Sequence, residues 1–139
     1  MKKVLFLLCA WAFTASSFAQ NAPASSNAVL KFETTSHAFG SVIEGQIATH
    51  EFIFKNTGTE PLVLKNVQAS CGCTTPSWPR EPIAPGQSSK ITVKYDSNGR
   101  PGTFNKSVFI FSNGGDVTLN ISGNVIREPE KPKSLIINN

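Results

Sequence analysis

Turn-forming residues interrupt this sequence at short intervals, and that punctuation limits the fold more than any other feature. Gly40, Gly45, Asn56-Thr57-Gly58, Pro61, Pro85-Gly86, Asn98-Gly99, Pro101-Gly102 and Asn113-Gly114-Gly115 separate short β-prone runs. None of the runs carries the 3.6-residue apolar period of a long amphipathic helix. A chain divided in this way can bury apolar surface only by pairing strands.

The runs alternate as half-buried strands should. In His50-Glu51-Phe52-Ile53-Phe54-Lys55, Phe52 and Phe54 share one face and Glu51 and Lys55 the other. Lys90 to Tyr95 and Val117 to Ser122 repeat the pattern. Val108-Phe109-Ile110-Phe111 is apolar at consecutive positions, which predicts a strand covered on both faces. Asn113-Gly114 between the last two runs predicts a tight hairpin. With Val29 to Phe32, Phe39 to Ile43 and Leu62 to Val67, the count is about seven strands, that of an all-β, immunoglobulin-like β-sandwich over residues 29–126.

Length and composition fit one such domain. The 139 residues, 40% hydrophobic and 16% charged, leave no room for a multidomain enzyme. Ten Phe argue against intrinsic disorder. A mean hydropathy of −0.10 argues against a multispanning membrane protein.

The two ends are set apart from this core. Met1-Lys2-Lys3, the apolar run Val4 to Phe13 and the small residues of Ser17-Phe18-Ala19 form a secretory signal over residues 1–19, too short for a permanent membrane span. Cys9 lies inside the apolar run, where it cannot serve as a lipidation site. Export to the periplasm or beyond follows, without stable membrane insertion after cleavage. Residues 20–28 have the Asn, Ala, Ser and Pro content of a flexible leader, and 127–139 form a charged, Pro-rich tail ending near the apolar Leu135-Ile136-Ile137. Loss of Lys2 and Lys3 lowers the formal charge from +4 to +2. The remaining basic residues are scattered, so the footprint of a nucleic-acid or anionic-membrane binder is missing.

The chemistry worth weighing sits in Ser70-Cys71-Gly72-Cys73-Thr74. Two cysteines in one loop cannot tie opposite sheets together. A bridge between them closes a very small ring, for which Gly72 would permit the turn, and ring strain would make it labile or exchange-active. Three readings stay open: a structural loop, a redox disulfide of Cys71 and Cys73, or capture of a soft metal such as Cu(I) by the two thiolates. A closed zinc site would want four ligands, and only His37 and His50 could supplement the pair, neither at zinc-finger spacing. His50 reads as a hydrogen-bonded sandwich residue and His37 as a loop polar group. Trp78, between prolines, reads as a lid on the core or as a shield for a bound ion.

Other catalytic vocabulary is missing from the sequence. There is no nucleophile elbow, phosphate-binding loop, metalloprotease helix motif or calcium-loop spacing. Asp96 and Asp116 adjoin turns, where Asp bonds to backbone. Asn105-Lys106-Ser107 and Asn120-Ile121-Ser122 match the glycosylation pattern, but both lie in predicted strands and the pattern is common by chance. No cofactor is called for, and the expected activity is not enzymatic.

The order Phe52-x-Phe54-x-Asn56-Thr57-Gly58, Pro61-Leu62, Ser70-Cys71-Gly72-Cys73-Thr74, Ile83-x-Pro85-Gly86, Ile91-x-Val93-x-Tyr95-Asp96, Gly102-x-Phe104-x-Lys106, Ser112-Asn113 and Leu119-x-Ile121-x-Gly123 resembles the bacterial domain-of-unknown-function 1573 family. The Ser-Cys-Gly-Cys-Thr motif is its most specific part. The Asn-Thr-Gly and Pro-Gly parts are shared with the abnormal-spindle-like and major-sperm-protein-like branch of immunoglobulin folds. The resemblance implies an exported single-domain β-sandwich with no assigned activity. By fold analogy it implies a noncatalytic module whose partner is another protein of the cell envelope.

Overall fold

The structure is a computed structural model that describes residues 27–128; the predicted signal peptide, residues 20–26 of the leader, and the tail beyond Glu128 lie outside the described residues. Eight strands follow in order: β1 Leu30–Phe32, β2 Ser36–Ile43, β3 Ile47–Asn56, β4 Leu64–Ala69, β5 Thr74–Ser77, β6 Ser88–Asp96, β7 Gly102–Ser112 and β8 Val117–Ile126. They form two four-stranded sheets, ordered β1-β3-β6-β5 and β2-β8-β7-β4. Every pairing is antiparallel except β2 on β8, which is parallel.

The alternation in the sequence becomes the core. Phe52 and Phe54 from β3 meet Ile91, Val93 and Tyr95 from β6, facing Val108 and Ile110 of β7 and Leu119 and Ile121 of β8. All are 2% exposed or less, and each such side chain contributes about 1.5–3 kcal/mol by leaving water. The Tyr95 and Phe104 rings stack across the sheets with centroids 3.9 Å apart.

A buried polar anchor stands at the end of β3. Asn56 is fully buried, and its side chain makes four hydrogen bonds. Its Oδ1 accepts from Val29 N at 3.3 Å and Gly58 N at 3.0 Å, and its Nδ2 donates to Glu60 O at 2.7 Å and Ile83 O at 2.9 Å. This satisfies the full capacity of a buried amide while fixing three separate loops.

Four expectations change. The strand count is eight because β5 pairs with β6 through Thr74, Thr75, Pro76 and Ser77. Its Pro76 argues against a central strand, but β5 is an edge strand, where a missing N–H is tolerated. Strand β7 is not covered on both faces: Val108 and Ile110 are buried, whereas Phe109 and Phe111 are 40% and 39% exposed. A two-sheet sandwich leaves the outer face of each sheet open.

Nor is the β7–β8 connection a two-residue hairpin. Its last pair is Ile110 with Val117, which leaves Phe111 to Asp116 between the paired ends, while Phe111 and Ser112 continue the ladder to β4 alone. Asn113 instead clamps that neighbouring segment, accepting from Val63 N and donating to Pro61 O. Finally, Asn27 and Ala28 belong to the fold rather than to a leader: Thr59 N donates to Asn27 O and Ala28 is 3% exposed. Gly58 makes this possible, since a Cβ there would lie 2.6 Å from Val29 N and closer still to Asn27 O.

Candidate functional site

Cys71 and Cys73 are joined as a disulfide with Cα atoms 5.3 Å apart. The bridge sits where the chain leaves β4 in one sheet and enters β5 in the other. Four hydrogen bonds shape this crossover without using sulfur. Ser70 N donates to Ser107 O, Thr74 N to Cys71 O and Asp96 N to Cys73 O, while Ser107 N donates to Ser70 Oγ. Cys73 is 8% exposed and belongs to the core, whereas Cys71 is half-buried at its margin. The Thr74 Oγ1 lies 3.5 Å from Cys71 Sγ and 3.9 Å from Cys73 Sγ.

Gly72 plays a different part from the one its sequence position suggests. It is not among the glycines with positive φ, and a Cβ added to it would meet nothing within 4 Å. The turn therefore does not require glycine; the residue leaves the exposed tip of the loop bare.

The other candidate residues stand apart from this bridge. Trp78 follows β5, so five residues of mostly extended chain, about 16 Å, separate it from Cys73. It packs partly buried against the core, its Nε1 has no hydrogen-bond partner, and the Arg80 guanidinium lies 3.8 Å from the ring centroid. His37 is not in a loop but on β2, and its ring stacks on that of His50 with centroids 3.6 Å apart and an 8° interplanar angle. Phe39 and Phe52 press edge-on against the pair. Burial first, and the neighbouring His37 charge second, push the His50 imidazole below its ordinary pKa of 6.5, against the opposing pull of Glu51. Alternation with Phe52 and Phe54 placed His50 in a strand, whereas His37 read as a loop residue; the sheet-to-sheet topology brings the two rings together.

Among the described residues, no group of three or more His, Cys, Asp or Glu lies together in a way that could hold a metal ion. In the disulfide form, neither sulfur is the thiolate that soft-metal capture requires. Asp96 and Asp116 accept from Asn98 N and Ser112 N in their turns, as their positions predict. Asn120 of the second glycosylation pattern accepts from the Ser107 hydroxyl of the first, across the β7–β8 ladder.

A further feature of the surface was hidden in the sequence by the apolar run of β7. The outer face of β2-β8-β7-β4 carries Phe109 and Phe111 two residues apart. Their register partners are Gln68 and Thr118 for Phe109, and Asn66 for Phe111. Cross-strand partners share a face, so uncharged polar side chains border both rings. The outer face of the other sheet carries Glu51, Lys55, Lys90 and Lys94, with an exposed ion pair between Lys90 and Glu51 and one exposed aliphatic, Ile47, at the start of β3.

Solved structures show the same fold at low sequence identity. A protein of unknown function from Porphyromonas gingivalis W83 aligns with a TM-score of 0.63 and 18% identity over 75% of this chain, which spans only half of that protein. The ASH / PapD-like domain of human CEP192 aligns with a TM-score of 0.64 and 11% identity, over 93% of this chain and 99% of that one. The secreted serine protease VesC from Vibrio cholerae aligns with a TM-score of 0.53 and 18% identity over 70% of this chain, but only 23% of its own length is covered. No curated protein matches the sequence. The sequence match is instead to the family described as Protein of unknown function (DUF1573), over residues 30–125, and the chain belongs to that family.

Proposed function

We propose that the domain is an exported, noncatalytic module that binds another protein of the cell envelope through the outer face of β2-β8-β7-β4. The observation that carries this reading is the asymmetry between the two outer faces. One is mostly charged and carries no exposed aromatic ring among the described residues, its exposed apolar residue being Ile47 at the start of β3; the other presents Phe109 and Phe111 among Asn66, Gln68 and Thr118. Exposed aromatics within an uncharged polar border are the composition of a protein-binding patch, whereas charge is depleted at such centres. Immunoglobulin-like sandwiches serve widely at cell surfaces, which supports the reading by analogy of fold. Export is supported by the signal-like residues 1–19.

The test is capture of a partner from the native envelope by the tagged, processed protein, in parallel with a Phe109→Ser, Phe111→Ser variant. A stoichiometric partner retained by the parent and lost by the variant is expected. Equal recovery by both proteins, or no stoichiometric partner, would contradict the reading.

A further inference from the structure

We propose that the Cys71–Cys73 disulfide is a thiol-exchange site, an oxidant for exposed dithiols of other proteins, and that the incoming thiolate attacks Cys71. The reading is independent of the binding face on β7 and rests on three observations at the crossover.

The first is unequal access. Cys73 is 8% exposed and packed into the core, while Cys71 is half-buried at the rim, so an incoming thiolate reaches the Cys71 sulfur first. Which sulfur is attacked, and how accessible it is, govern such reactions. The second is Gly72. Neither φ nor packing demands glycine there, yet any side chain would stand on the exposed tip beside the sulfurs. With glycine there, the backbone beside the bridge stays open to close approach by another chain.

The third is what remains when the bridge opens. The hydrogen bonds from Ser70 N, Thr74 N, Asp96 N and Ser107 N hold the crossover through backbone and serine oxygens, so reduction leaves its path in place. The Thr74 hydroxyl, 3.5 Å from Cys71 Sγ and 3.9 Å from Cys73 Sγ, is in reach of either sulfur and can donate to the thiolate that leaves on Cys73.

A thiolate of the substrate dithiol attacks Cys71 Sγ; a mixed disulfide forms, the Cys71–Cys73 bond breaks, and its electron pair leaves on Cys73 Sγ, which takes a proton from solvent. The second substrate thiol, after losing its proton, attacks the substrate sulfur of the mixed disulfide and expels Cys71 as a thiolate. The substrate is oxidised from dithiol to disulfide, and the Cys71, Cys73 pair is reduced to the dithiol by the same two electrons.

The experiment treats the oxidised full chain with reduced glutathione or dithiothreitol under native conditions, quenches with an alkylating agent and maps the products by mass spectrometry. The expected result is glutathione on Cys71 with alkylated Cys73, and full reduction by dithiothreitol with no loss of β-sheet circular dichroism. Gly72→Val should slow reduction at least tenfold with the β-sheet circular dichroism retained, since a Cβ there meets nothing within 4 Å apart from the neighbouring cysteines, and the added bulk obstructs approach. A disulfide reduced only on denaturation, glutathione mapped to Cys73, or a Gly72→Val variant reduced at the parent rate would overturn the proposal. Small thiols are the only reactants, so the result does not depend on whether an envelope partner is found.

Discussion

Replacing Asn56 tests whether this buried amide is the pin of the sandwich's loop end. Asn56→Ala removes four hydrogen bonds and leaves the N–H groups of Val29 and Gly58 and the carbonyls of Glu60 and Ile83 without that partner. A buried polar group left unsatisfied costs about 1–3 kcal/mol, and relaxation or water entry recovers part of it. The expected loss is about 3–5 kcal/mol, a large share of the roughly 5–15 kcal/mol that holds an ordinary domain. Asn56→Asp sharpens the test because it keeps the shape. One oxygen can still accept from Val29 and Gly58, but the other now faces the carbonyls of Glu60 and Ile83, turning two attractions into repulsions around a buried charge.

At pH 7, then, Asn56→Asp should be at least as destabilising as Asn56→Ala. Its carboxyl should have a folded-state pKa above the unfolded value of about 3.9, so its cost should shrink as the pH falls through the folded value and a proton again points at a carbonyl. Urea unfolding followed by circular dichroism, at pH 7 and pH 4.5, gives both numbers. A loss below about 1.5 kcal/mol for Asn56→Ala, or an Asn56→Asp variant as stable as the parent at pH 7, would refute the reasoning.

Three further outcomes are expected. Gly58→Ala should cost about 1–3 kcal/mol and release Asn27 and Ala28, detectable as faster amide exchange at Val29 and Thr59, because its methyl would collide with backbone rather than a movable side chain. Because His50 is held below 6.5 by burial and by His37, the unfolded chain takes up a proton that the folded chain resists as pH falls below about 6.5. Stability should decline from that point and level off below the folded value, and His50→Gln should remove this share of the decline in urea midpoints measured between pH 7.5 and pH 5. Lys90→Ala should change stability by less than about 1 kcal/mol in the same assay, since its bond to Glu51 is exposed to water on both sides.

The strands were legible where the apolar period was two and the turns carried Gly, Pro or Asn, as in Phe52 to Phe54 and Ile91 to Tyr95. Strand β5 was hidden because Pro76 speaks against pairing, and only its edge position, a property of the whole sheet, makes it acceptable. The exposure of Phe109 and Phe111 was hidden for the opposite reason: consecutive apolar residues read as burial on both faces, while burial depends on whether a second layer covers the sheet. Asn27 and Ala28 look like leader by composition, and what fixes them is the bare backbone of Gly58, more than two dozen residues away. The Cys-Gly-Cys motif announced its own importance, but spacing alone left bridge, free thiols and metal open. His37 and His50 are separated by the sheet gap, so no local pattern could pair them.

The binding face is tested most directly by photo-crosslinking in the native envelope, with a photoreactive amino acid placed at position 109 in one protein and at position 92, on the outer face of the opposite sheet, in another. The account predicts one discrete crosslinked protein from position 109 and none from position 92. Crosslinking from position 92 alone, equal products from both positions, or no product from position 109 would contradict it.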